Sequence, residues 1–147
     1  MLFTLGQQTV SSTINTAAWT LLTFATPGRV RLRELGVCQQ GSVTGATFGL
    51  GRPAAVGITP TTPVDFLAED PTDTLAASTL QGVVAGWGTQ PTVPTAFFRT
   101  WSKPAVLGAG VIWTWPKGLM CAISGNLVLW EVAACGVNHV YALCEII

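Results

Sequence analysis

The chain has 147 residues, enough for one domain with a buried core, and 49% of them are apolar. Only 10% are charged, against about 25% in an ordinary soluble domain. Seven basic and seven acidic residues cancel. This balance excludes intrinsic disorder, and it supplies no long-range attraction to nucleic acid or anionic membranes. No apolar stretch is long enough to span a bilayer, and Met1–Leu5 lacks the basic start of a secretion signal. So few charges imply that much of the surface faces other protein, which predicts a homo-oligomer.

Glycine, proline and threonine recur along the chain, and helical periodicity does not. The first predicted strand is Ala17–Thr26, closed by Pro27-Gly28. Arg29–Gln39 is the clearest extended segment. Val30 and Leu32 point one way, and Arg29, Arg31 and Arg33 point the other. Leu35 and Val37 then switch parity, which predicts a β-bulge near Glu34 or Leu35. Thr44–Leu50 follows and ends at Gly51-Arg52-Pro53.

Residues 54–71, rich in proline and acids, form an ordered surface excursion rather than core strands. Asp73 caps a short helix over Asp73–Gln81. Phe97–Lys103 alternates Phe97, Arg99, Trp101 and Lys103 against Phe98, Thr100 and Ser102. Aromatic residues on both sides imply a second dry surface, provided by a partner or by the proline-rich excursion. In Val111–Trp115, residues Val111, Trp113 and Trp115 share a face, and Pro116-Lys117-Gly118 makes a turn. Leu119–Ile123 and Asn126–Ala133 are separate strands divided by Ser124-Gly125. In the last, Val137–Ile147, the residues Val140, Ala142, Cys144 and Ile146 form one face. Roughly eight strands in one domain, 1–147, predict an all-β, antiparallel two-sheet sandwich of jelly-roll type with less than about a tenth helix.

Chemistry-bearing patterns are sparse. His139 is the sole histidine, and no nucleophile elbow or phosphate-binding glycine motif occurs. Asp65, Glu69, Asp70 and Asp73 sit in the proline-rich loop and read as turn caps. Cys38, Cys121, Cys135 and Cys144 lack the spacing of a zinc site and are expected as free thiols of a reducing compartment. No catalytic residue, metal or cofactor is predicted. Six tryptophans are more than a chain this size usually carries. They pack in the core or anchor an interface, although Trp113 and Trp115 together would also suit stacking on a sugar.

Three segments, "RVRLRELGV" at Arg29–Val37, "GAGVIWTWPKGLMCAISGNLVLWEV" at Gly108–Val132 and "HVYALCEII" at His139–Ile147, resemble small jelly-roll virion proteins of tailed bacteriophages. These decorate or cement the head lattice, often as trimers. The resemblance implies a structural role, a major capsid protein as partner, a homotrimer, and a place on the outer capsid surface after assembly in the host cytoplasm. Arg29, Arg31, Arg33, Phe97, Trp101, Trp113 and Trp115 are the candidate interface residues. A tail, neck or fibre component and a carbohydrate-binding sandwich are the alternatives.

Overall fold

The computed structural model describes residues 1–10, 16–23, 29–40, 46–57, 60–73, 80–121, 126–132 and 136–147. They form eleven antiparallel strands and no helix. The strands are β1 (Leu2–Gln8), β2 (Thr16–Thr23), β3 (Val30–Gln39), β4 (Ala46–Gly51), β5 (Val64–Asp65), β6 (Leu67–Ala68), β7 (Leu80–Val83), β8 (Phe97–Lys103), β9 (Gly110–Cys121), β10 (Asn126–Glu131) and β11 (Asn138–Ile146). One sheet has the order β6-β1-β11-β3-β9, the other β5-β7-β2-β10-β4-β8. The expected all-β sandwich is therefore present.

The chain pairs with itself as a long ribbon. β1 lies against β11, β2 against β10, β3 against β9 and β4 against β8. Successive arms of this ribbon alternate between the sheets. The wrap closes where β11 also pairs with β3 and β10 also pairs with β4. Phe3, Leu5, Trp19, Leu21, Leu32, Leu35, Phe48, Leu50, Leu127 and Leu129 fill the core between the sheets. The face Val140, Ala142, Cys144 and Ile146 is buried as its alternation demands.

The proline-rich excursion blunts two sheet edges. Val64–Asp65 pairs with β7 at the margin of one sheet, and Leu67–Ala68 pairs with β1 at the margin of the other. Between them Phe66 is buried and plugs the gap. These two-residue strands cover edges that would otherwise offer free backbone groups.

Chain on either side of that segment covers the middle of the outer face of the six-stranded sheet. Leu22, Val128 and Trp130 lie outside the inter-sheet core cluster yet are buried. Above them, Ala55 of the excursion and Thr92, beyond it, exchange hydrogen bonds. Asn126 donates its amide to the Val56 carbonyl, and Ala17 donates its backbone N–H to the Gln90 side chain. Pro60, Pro91 and Pro94 are buried.

Several expectations need correction. β1 has no counterpart among the predicted strands, and Leu80 and Gln81, assigned to a helix, are strand. Residues 74–79 of that helix, the Pro27-Gly28 turn and the Ser124-Gly125 break lie outside the described residues. Pro116-Lys117-Gly118 is not a turn between strands, because β9 runs through it. Thr114 pairs with Glu34 and Leu119 with Leu32, so residues 115–118 stand opposite Arg33 alone. The bulge expected near Glu34 is real, and the residue it leaves unpaired is Arg33. Both β9 and β11 skip it.

Candidate interaction surfaces

With the β2 and β10 part of the six-stranded sheet covered on both faces, the outer face of the five-stranded sheet is the more open one. Its outward residues form cross-strand rows set by the register. Leu2, Glu145, Arg31 and Met120 make one row, and Thr4, Leu143, Glu34 and Thr114 the next. Then come Gly6, Tyr141, Gly36 and Ile112, and finally Gln8, His139, Cys38 and Gly110. The first two rows carry the charges, with Arg33 of the bulge 3.5 Å from Glu145. The last two enclose a mostly apolar trough of about 500 Å³ with a floor of glycines.

Glycine explains the trough. A Cβ on Gly36 would fall 2.0 Å from the Tyr141 ring, so the ring lies directly on that backbone. Beside it, a Cβ on Gly6 would meet nothing within 4 Å, and the floor there is bare. Tyr141 donates its hydroxyl to Glu34 Oε1 at 2.6 Å, which fixes the ring. Desolvation, then the hydrogen bond and the negative charge of Glu34, push the Tyr141 hydroxyl up to about 12.

A turn overhangs one end of the trough. Ala109 donates to the Val106 carbonyl, and Gly108 sits at φ +80°, a conformation that favours glycine. The two residues at the tip, Val106 and Leu107, are 59% and 62% exposed. Ile112, on the trough wall, is also 62% exposed. Three large aliphatics thus stand in water beside an apolar hollow.

A second surface runs along the paired margins of β8 and β9. Arg52 stacks on Phe98 at 4.7 Å and donates from Nη2 to the Met120 carbonyl at 2.5 Å. Arg99 lies over Trp115 at 5.8 Å. These contacts tie the two sheets together on the side opposite β5 and β6.

The predicted interface residues divide among different places. Arg29 is exposed beside the C-terminal residue Ile147, and Arg31 places Nε 3.4 Å from the Met120 sulfur. Arg33 is paired within the chain. A register shift between Leu50 and Gly51 separates Phe97 from Trp101. Phe97 lies over Gly49 on the outer face, while Trp101 stacks on Phe48 in the core at 6.2 Å. Trp113 is only 8% exposed and belongs to the core. That removes it from any interface and dismantles the Trp113–Trp115 sugar platform. Trp115 remains half-buried under Arg99.

Tyr141, Ile112, Val106 and Leu107 were not singled out from sequence. Their one readable signal was the Val106-Leu107-Gly108 run, two aliphatics ahead of a turn glycine. His139 and Cys38 face each other across β11 and β3 on the trough rim. Among the described cysteines Cys38 is exposed, while Cys121 and Cys144 are buried, and all three are free thiols. Desolvation raises the Cys121 thiol to about 12 and the Cys144 thiol well above its ordinary value. Cys135 lies outside the described residues. Among the described residues no group of three acids, histidines or cysteines could hold a metal ion. Asp65 instead accepts from Gln81, and Asp70 accepts from Thr72. Among the described residues no helix is long and apolar enough to cross a membrane.

No protein-family model, curated protein or solved structure matches the chain.

Proposed function

We propose that this protein is a structural virion component that decorates or cements a phage capsid by bridging shell subunits. The observation carrying this reading is the open outer face of the five-stranded sheet. Val106, Leu107 and Ile112 stand exposed there around a glycine-floored trough, while the middle of the opposite sheet is covered by its own chain. Aliphatic knobs beside a hollow suit protein contact by shape, with few charges to desolvate.

Strand order supports the finer fold reading. β1, β11, β3 and β9 in one sheet and β2, β10, β4 and β8 in the other follow the order of a jelly roll. In that reading β5, β6 and β7 are additions between the two halves of the rolled ribbon. The phage setting rests on the sequence resemblance described above. Imaging of the assembled particle is the direct test. Density for this sandwich on the outer shell, its trough face against a neighbouring subunit, is the expected result. Density confined to the tail or neck would favour the alternative virion role, and a particle without the protein would overturn the reading.

A further inference from the structure

One end of the sandwich holds a buried polar group that the contact surfaces do not use. Lys103, the last residue of β8, is only 3% exposed, and its Nζ donates to Asn138 Oδ1 at 3.2 Å. Asn138, the first residue of β11, is fully buried. The two residues belong to different sheets and are 35 positions apart. Lys103 Nζ also lies 5.7 Å from the centre of the Phe48 ring. Directly across the ladder from Phe48 stands Glu131, fully buried. A buried lysine thus touches a buried asparagine beside the Phe48 ring, with a buried glutamate facing that ring across the ladder.

We propose that Lys103 and Asn138 become joined by an amide bond that the folded chain forms on itself, with Glu131 as proton carrier. The geometry suits the reaction. An amide carbon lies about 1.2 Å from its oxygen, so Lys103 Nζ is within about 4.4 Å of Asn138 Cγ. That upper limit lies about 1 Å beyond the approach of about 3–3.5 Å at which positioned groups react. Asn138 is also held still. Its Nδ2 donates to the Gly136 carbonyl at 2.9 Å, its backbone N–H donates to Thr9 Oγ1 at 3.0 Å, and its carbonyl accepts from the Thr9 N–H at 2.8 Å. An amine attacks only when neutral, so the step starts once Lys103 has given up its extra proton.

The step balances without an oxidant or cofactor. The neutral Nζ of Lys103 forms a bond to Cγ of Asn138, and the Cγ–Nδ2 bond breaks. The proton surrendered by Nζ reaches Nδ2 through the Glu131 carboxyl, which ends as it began. Nδ2 leaves as ammonia, and an amide bridges β8 to β11.

Intact-mass measurement of the folded protein tests this directly. The expected mass is below the sequence mass by one ammonia, about 17 Da. Peptide mapping should find Lys103 and Asn138 in a single branched peptide, which distinguishes the bond from ammonia loss within one residue. Lys103→Met and Asn138→Ala should each restore the full mass, and Glu131→Gln should do so while keeping the side-chain shape. A folded wild-type protein of full sequence mass overturns the proposal, whatever the variants do. Persistence of the bridge in Glu131→Gln would overturn the role given to that residue. The bond does not depend on the capsid reading, so either can fail alone.

Discussion

Tyr141 is the only tyrosine in the chain, which makes its ionisation a clean reporter of the trough. Its hydroxyl is raised to about 12 by desolvation and by the bond to Glu34. The folded value exceeds the ordinary value of 10, so the fold favours the neutral phenol. The stability it contributes is fully present below pH 10 and is lost as pH rises through about 12. Ultraviolet titration of tyrosinate should show a midpoint near 12, and Glu34→Gln should bring it down towards 10. A wild-type midpoint at the ordinary value would mean that the ring does not lie as described.

Glycines make the same point at the level of strands. Gly118 closes the wide bulge of β9 at φ +74°, and a Cβ there would fall 2.7 Å from the Arg31 side chain. That side chain can move, but the backbone strain cannot be relieved. Gly118→Ala should cost about 1–2 kcal/mol. Gly6 lies in β1 with open space around it. Gly6→Ala should be neutral or stabilising by up to about 1 kcal/mol, since it restricts the unfolded chain. Denaturant midpoints of the two variants, compared with wild type, check both signs.

The elements also show what the sequence could and could not reveal. Alternation made β11 and the inward face of β3 readable, because one side is core and the other is not. It failed for β10, where all six residues are buried because chain covers both faces. It also failed in β8, where a single register shift moves Phe97 to the opposite face from Trp101. Pro116-Lys117-Gly118 was read as a turn, but it is a bulge inside β9. A one-dimensional pattern does not distinguish a bulge of four residues from a turn. The trough was least legible, since its rows join residues from four strands that lie far apart in the chain.

For the whole molecule, the distribution of cover decides how copies would meet. The middle of one sheet is covered by residues 54–57 and 89–94, and the other sheet presents Val106, Leu107 and Ile112 to water. Native mass spectrometry at micromolar concentration should show a homo-oligomer, with a trimer expected from the virion resemblance. Leu107→Asp and Ile112→Asp should shift it to monomer without loss of β structure by circular dichroism, because neither side chain supports the core. An oligomer that survives both changes would locate the contact elsewhere, with the β8–β9 margin next in order.

The ribbon pairing also sets the order of events during synthesis. Neither sheet can be assembled from the first part of the chain, because β10 separates β2 from β4 and β11 separates β1 from β3. Early pairs such as β2 with β7 and β4 with β8 stay separate until β10 and β11, in the last twenty or so residues, leave the ribosome and join them. Pairings so distant in sequence fold slowly, on the order of milliseconds to seconds. During that delay Trp19, Leu21, Leu32 and Leu35 are open to wrong partners. Premature termination anywhere before β11 therefore yields no smaller working sandwich, only a chain for chaperones and proteases to clear.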